Sequence, residues 1–229
     1  MSASRTVLLV GATQGLGLAL AERYLGEGWN VVATTLAPSP GLTDLADRFH
    51  DRLEIHPLDI TDAAAVAALR DTLSTRSLAA LHIVAGILPV ETAPVWEQPS
   101  DIVLKVLETN AFGGVRLATA FADLVAPEGV FAFTSSGMGS MTRNDRGGAP
   151  LYRISKAALN MLVRSFAAEH ASGRAVLLIC PGWVKTQMGG DLATVEIADS
   201  VDGIYRLVCQ ARATDGAPFL EYTGDTVPW

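Results

Sequence analysis

The chain has 229 residues, of which 49% are hydrophobic and 18% charged, so it can bury a core and is not disordered as a whole. Its 24 acidic and 17 basic residues give a formal charge of −7, which disfavours nucleic acid and anionic membrane surfaces as partners. No apolar run reaches the roughly 18 residues of a membrane span, and the two cysteines and four histidines suggest neither a disulfide framework nor a metal site. We expect one cytoplasmic domain over residues 1–229.

Apolar strand patterns alternate with helix-length segments along the chain. We predict strands at 5–10, 30–35, 53–57, 81–85, 130–133, 175–179 and 218–221. We predict helices at 16–26, 42–49, 62–73, 152–170 and 195–212, and one or two helices within 100–125; Thr61 is the expected cap of the helix at 62–73. Continuous apolar strands separated by helices are typical of a parallel sheet covered on both faces. The predicted fold class is therefore α/β, a doubly wound, Rossmann-type parallel β-sheet with helices on both faces.

A glycine-rich turn lies between the first predicted strand and the first helix. Its spacing is Gly11-x3-Gly15-x-Gly17, which differs from the Gly-x-Gly-x-x-Gly fingerprint. Glycines allow the backbone to approach a pyrophosphate, and the helix N-terminus offers N–H groups to it. The alternative is a turn that only lets helix and strand pack closely. The position of the turn, first in an alternating α/β chain, favours dinucleotide binding.

Tyr152 and Lys156 open the strongest predicted helix, and residues four apart share a helix face. A nearby ammonium stabilises a phenolate, so this pair is suited to acid–base chemistry. The pattern is short and common, however, and on its own it favours an ordinary helix with a partly exposed tyrosine and a solvated lysine.

Further motifs follow in order along the chain. They are Leu58-Asp59-Ile60-Thr61, Ala85-Gly86, Asn110, Ser135-Ser136, and Pro181-Gly182 with Thr186. Together with the glycine turn and the Tyr152/Lys156 pair, they make the chain resemble the short-chain dehydrogenases/reductases over nearly its whole length. The segments 152–160 and 219–229 resemble the branch of C-signal-like proteins and sniffer-type carbonyl reductases.

That resemblance implies catalytic roles for four side chains. Tyr152 would protonate the carbonyl oxygen during reduction and act as the base in the reverse direction. Lys156 would lower the pKa of Tyr152 and hold the nicotinamide ribose. Ser136 would donate a hydrogen bond to the substrate oxygen, with Ser135 as the alternative, and Asn110 would hold a water that links Lys156 to solvent.

The resemblance also implies NAD(P)(H) as cofactor and no metal. The residues implied to contact the cofactor are Gly11, Thr13, Gln14, Gly15, Leu16, Gly17, Thr35, Leu36, Asp59, Ile60, Ala85, Gly86, Tyr152, Lys156, Pro181, Gly182, Val184 and Thr186. The end of the second predicted strand carries no acid that would bind a ribose 2′-hydroxyl. The lack of a carboxylate there favours NADP(H) over NAD(H), and Thr34 and Thr35 are candidate donors to the 2′-phosphate.

The function expected on this basis is an NAD(P)-dependent oxidoreductase that interconverts a carbonyl compound and a secondary alcohol. The alternative is a cofactor-binding signalling or regulatory protein with little or no turnover. The residues expected around the substrate are mostly apolar and suit an uncharged compound: Ile87, Leu88, Pro89, Met138, Met141, Trp183 and Met188. Arg143 and Arg146 leave open an anionic substrate.

We also expect a homodimer or homotetramer, paired through the helices at 100–125 and 152–170. Small side chains on these helices would permit close approach: Ala111, Ala118, Ala157, Ala158 and Ala167. Neither nucleic acid nor a membrane is an expected partner.

Overall fold

Seven strands form one parallel sheet in the computed structural model, which describes residues 5–90, 93–214 and 216–229. The strands are β1 Thr6–Val10, β2 Asn30–Thr35, β3 Leu53–Pro57, β4 Leu78–Ile83, β5 Val125–Thr134, β6 Ala175–Cys180 and β7 Phe219–Glu221. Their order is β3-β2-β1-β4-β5-β6-β7, and every neighbouring pair is parallel. The chain changes direction across the sheet between β1 and β4, where ligands of such folds bind.

Helices cover both faces of the sheet. They are α1 Gly15–Gly26, α2 Pro40–Phe49, α3 Ala63–Thr72, α4 Ser100–Leu107, α5 Gly113–Ala120, α6 Pro150–Glu169 and α7 Ile197–Gln210. On β1, Val7 and Leu9 face a core with α1, α2 and α7, whereas Leu8 and Val10 face a second core with α3, α5 and α6. Both faces of each central strand are therefore buried, and the predicted α/β class is confirmed. No described helix is both long and apolar enough to cross a membrane.

The predicted helical stretch at 100–125 is interrupted. A π-helical turn, Glu108–Phe112, separates α4 from α5, and Val125 already begins β5. The turn places Asn110 inside the protein, where its amide bonds the backbone of Ile87. β5 is longer than the predicted 130–133 because Val125 already pairs with Leu78 of β4, ahead of an irregularity in the register between the two strands.

Two further differences from prediction have a clear cause in the structure. β4 ends at Ile83 rather than at residue 85, because the N–H groups of Val84 and Ala85 both turn to the Val10 carbonyl oxygen. Asp62, not Thr61, caps α3, and its Oδ1 accepts from the first-turn N–H groups of the helix.

Two of the alanines expected at an interface between copies of the chain lie elsewhere. Ala111 and Ala118 are fully buried in the core beneath the sheet. That expectation was wrong because the interrupted helix turns these positions inward. The exposed apolar side chains on these helices are larger: Ile102, Leu104, Phe112, Ile154 and Met161.

His82 on β4 is fully buried between two hydroxyl groups. Its Nδ1 lies 3.4 Å from Tyr24 Oη, and its Nε2 lies 3.3 Å from Thr134 Oγ1. Burial lowers the pKa of His82 to about 3, because the imidazolium would be desolvated.

We predict that His82 makes the protein less stable in acid. The unfolded chain protonates this residue near pH 6.5 and the folded chain only near 3, so unfolding takes up a proton between these values. The free energy of unfolding should then decrease by about 1.4 kcal/mol for each unit by which the pH is lowered over this interval. Urea titrations from pH 6 to pH 4 should show a slope shallower by about that amount in His82→Gln. The exposed His50→Gln is the control, and equal slopes in both variants would contradict the prediction.

Candidate active site

The turns after β1 and β4 are in direct contact. A Cβ on Gly11 would lie 2.7 Å from the backbone of Ala85, and Gly11 has a φ of +91°. A Cβ on Gly17 would lie 2.1 Å from the Gly11 carbonyl oxygen. Close packing therefore requires glycine at both positions, and it brings the predicted cofactor residues Ala85 and Gly86 beside the glycine turn.

The N-terminus of α1 is open to an anion. Gln14 is the N-cap residue, its side chain makes no capping hydrogen bond, and the first turn carries no acidic residue. The first-turn N–H groups, which include those of Leu16 and Gly17, can therefore serve a phosphate. Thr186 lies opposite, because a Cβ on Gly15 would come within 3.5 Å of its side chain.

The end of β2 corrects one expectation. Thr34 is buried, and its Oγ1 accepts the Gly11 N–H at 3.1 Å. The prediction that Thr34 donates to a 2′-phosphate was wrong, because its side chain points into the glycine turn. Thr35 lies nearer the surface, with its Oγ1 3.0 Å from Thr13 Oγ1, and Leu36 is exposed.

Tyr152 and Lys156 lie one turn apart on α6. The Lys156 Nζ is buried, 5.8 Å from the centre of the Tyr152 ring, and donates to the Thr134 carbonyl oxygen at 3.0 Å. Burial lowers the pKa of Lys156 to about 8, because the charged amine is desolvated. At neutral pH this amine is charged, and it is close to releasing its proton.

The two serines after β5 point to different places. Ser135 is buried, and its Oγ donates to Asn160 Oδ1 at 2.6 Å. Ser136 hydrogen-bonds Tyr152, and its Oγ also accepts the Met138 N–H at 3.1 Å. Burial raises the pKa of Tyr152 to about 12, although the hydrogen bond with Ser136 opposes the rise. The phenol therefore keeps its proton at neutral pH.

Asn110 connects the loop after β4 to α6. Its Oδ1 accepts the Ile87 N–H at 2.7 Å, and its Nδ2 donates to the Ile87 carbonyl oxygen and to Ser155 Oγ at 3.0 Å. A Cβ on Gly86 would lie 3.3 Å from Asn110 Oδ1 and 3.6 Å from Lys156 Nζ. Asn110, Gly86 and Lys156 thus meet at one point.

Asp59 and Ile60 lie at the end of the loop after β3. Asp59 Oδ1 accepts from the Thr61 N–H at 2.8 Å and from its hydroxyl at 2.7 Å, and these bonds lower the pKa of Asp59. Its side chain therefore caps the local turn. Ile60 is buried against Gly113, so its side chain belongs to the core.

The turn after β6 completes the site. Gly182 has a φ of +81°, and a Cβ there would lie 2.9 Å from Val195. Thr186 follows at the head of a loop that its side chain helps to close, since Oγ1 accepts the Gly189 N–H at 3.2 Å. Val184 is buried beneath this loop. Pro181 accepts a hydrogen bond from Ser200, which anchors the turn to α7.

The structure adds residues that motif matching did not assign. Three buried polar residues hydrogen-bond the predicted ones: Ser155 bonds Asn110, Thr134 bonds Lys156 and Asn160 bonds Ser135. Their polar character inside the protein was the available signal. Among the described residues, no group of three or more His, Cys, Asp or Glu side chains could hold a metal ion.

Comparisons with known proteins identify the family of the chain. The family model described as "short chain dehydrogenase" matches residues 5–196. A Burkholderia multivorans protein assigned to the short-chain dehydrogenases/reductases, solved with bound NADP, is 40% identical, with a TM-score of 0.93 over 99% of this chain and all of that one. A carbonyl reductase from Pseudomonas aeruginosa in complex with NADP is 36% identical, with a TM-score of 0.91 and the same coverage. C-signal from Myxococcus xanthus is 40% identical over 123 residues, which are 52% of this chain and 74% of that protein.

Proposed function

This chain belongs to the short chain dehydrogenase family of NAD(P)-dependent oxidoreductases, and from that premise we propose that it interconverts a carbonyl compound and a secondary alcohol with Tyr152 as the proton donor and acceptor. The main support is the arrangement of three side chains, Ser136 just after β5 and Tyr152 and Lys156 at the start of α6. Tyr152 is hydrogen-bonded to Ser136 and lies one helical turn before the buried Lys156.

Tyr152 holds the proton that the carbonyl oxygen needs. Bound NADPH or NADH supplies the hydride. Burial keeps the pKa of Tyr152 high, so the phenol is protonated at neutral pH and can donate when negative charge develops on the substrate oxygen. Ser136, which bonds this hydroxyl, can turn its single hydroxyl proton to the same substrate oxygen.

Lys156 and Asn110 would restore the proton that Tyr152 gives up. The lowered pKa of Lys156, about 8, lets this amine exchange a proton near neutral pH. Asn110 reaches both Gly86 and the Ile87 backbone beside that amine. We assign these two residues to the proton path toward solvent.

The residues present fit a dinucleotide. The glycines at 11 and 17 leave a cradle that a Cβ would fill, and the uncapped start of α1 offers N–H groups to the phosphates. Residues 34–43 contain no carboxylate that would repel a 2′-phosphate. Two similar proteins were solved with NADP. We therefore propose NADP(H) as the preferred cofactor.

The substrate proposed here is an uncharged, largely apolar carbonyl compound. Exposed apolar side chains follow the turns after β4 and β6 and the loop after β5: Leu88, Met141, Trp183 and Met188. Arg143, one of the two arginines of this loop, is paired with Glu221. Apolar walls and a neutralised cation favour a ligand without charge.

Tyr152→Phe should abolish most turnover while leaving cofactor binding intact. Loss of the proton donor should lower the rate of carbonyl reduction about 100-fold or more. Phenylalanine preserves the ring, so the packing around residue 152 should be kept. Initial rates on a panel of aldehydes and ketones, with a parallel NADPH fluorescence titration, measure both. Tyr205→Phe is the matched control, because its hydroxyl bonds Trp29 on the opposite face of the sheet. Retained turnover in Tyr152→Phe would refute the assignment.

NADPH should bind more tightly than NADH, by about tenfold or 1.4 kcal/mol, because nothing carboxylic at the end of β2 opposes the 2′-phosphate. Fluorescence titration with each nucleotide checks this. Placing a carboxylate there, Thr35→Asp, should reverse the order, and the exposed Thr119→Asp on α5 should not. Tighter NADH binding by the unmodified protein would contradict the preference.

Self-association is proposed through the exposed apolar surface of α4 and α6. Leu104 and Met161 lie on these two helices, which pack side by side. Light scattering should give a mass at least twice that of one chain. Met161→Glu should shift the protein to monomer, whereas Leu192→Glu, an exposed apolar position outside this surface, should not. A monomeric wild-type protein would overturn this proposal.

A signalling role is the second candidate, favoured by the 40% identity with C-signal over about half of the chain. It predicts nucleotide binding without turnover on any member of the carbonyl and alcohol panel. Robust catalysis on one compound would remove it.

A further inference from the structure

The Cys180 thiol connects the two turns that border the site. Its Sγ accepts the Gly137 N–H at 3.1 Å and also bonds the backbone of Gly182. Gly137 follows Ser136, and Gly182 belongs to the turn after β6. One buried sulfur atom is therefore shared by the segment that carries the serine and the segment expected to contact the cofactor.

The proton of the thiol is directed at a carboxylate. The side chain of Glu221, the last residue of β7, hydrogen-bonds Cys180 and is paired with Arg143. The guanidinium lies over Gly137, since a Cβ there would be 3.3 Å from Arg143 Nη1. Arg143 is itself held by its backbone N–H, which donates to Ser140 Oγ at 3.2 Å. The cluster thus surrounds the turn that begins at Ser136.

We propose that Cys180 is a positioning residue, which fixes the turn of Ser136 against the Pro181–Gly182 turn while Glu221 and Arg143 hold its S–H in place. The inference rests on the proposed function, in which Ser136 and Tyr152 act on the substrate oxygen. Cys180 touches neither the substrate nor the cofactor in this role.

A thiol suits this position because it accepts and donates at once. It accepts from backbone N–H groups and donates to Glu221, and alanine can do neither. The thiol stays protonated, since burial and the neighbouring carboxylate raise its pKa to about 12.

Loss of the thiol should release the turn that carries Ser136. Ser136 would then hold the Tyr152 hydroxyl less firmly, so kcat should fall. A serine at position 180 restores a donor and an acceptor and should recover the activity, a rescue that a merely destabilised protein would not show.

The experiment compares Cys180→Ala and Cys180→Ser with Cys209→Ala, which removes the other cysteine, on α7. For carbonyl reduction with NADPH, kcat should fall about tenfold in Cys180→Ala. Cys180→Ser keeps a donor and an acceptor on a shorter bond, and should recover most of the lost kcat. Cys209→Ala should match the wild type.

Amide hydrogen exchange provides a readout that does not need turnover. The N–H groups of Gly137 and Gly182 should exchange faster in Cys180→Ala than in the wild type, and Cys209→Ala should leave both unchanged. Unaltered exchange at the two glycines overturns the positioning role whatever the activity. Faster exchange in a protein that reduces no carbonyl supports that role and instead removes the proposed function.

Glu221→Gln covers the case in which Cys180→Ala does not fold. It leaves the thiol in place but removes the charge that binds Arg143, so Gly137 should exchange faster while Gly182 changes less. Equal rates at both glycines in Glu221→Gln and the wild type would overturn the part assigned to Glu221 and Arg143.

Discussion

The site depends on the contact between the turns after β1 and β4. The Val10 carbonyl oxygen accepts the N–H groups of both Val84 and Ala85, at 2.9 and 3.0 Å, and Gly11 packs directly on Ala85. This contact ends β4 and redirects the chain to Gly86. Since no side chain at residue 11 fits there, the glycine turn serves packing and ligand access together.

From Gly86 the arrangement extends through buried polar groups. Asn110 fixes the loop, Ser155 connects Asn110 to α6, and Lys156 reaches back to the carbonyl oxygen of Thr134 at the end of β5. Each group is buried and each has a partner, which burial requires. The same burial shifts the pKa of Lys156 downward and that of Tyr152 upward, so the packing that holds the residues also sets their chemistry.

Much of this fold could be predicted from sequence, because strands buried on both faces are apolar throughout. Residues 30–35 and 53–57 were predicted with the bounds that β2 and β3 have. The π-helical turn could not be, since it depends on a hydrogen bond between Asn110 and Ile87, 23 residues away. The inward direction of Thr34 likewise depends on its bond to Gly11, which no local pattern encodes.

Contacts between distant segments also distinguish the two serines, and they explain why the role of the Cys180 thiol could not be predicted from sequence. Successive residues of an extended chain point to opposite sides, so Ser135 and Ser136 had to differ, but only the position of Asn160 decides which one is buried. Cys180, Glu221 and Arg143 come from three segments 37 to 78 residues apart, and each side chain by itself looks ordinary. They act together because they surround the Gly137 N–H, a backbone group that no sequence pattern marks. A sequence motif therefore identifies the side chains of such a site but not its backbone donors. The residues that position these donors can be identified only from the three-dimensional structure.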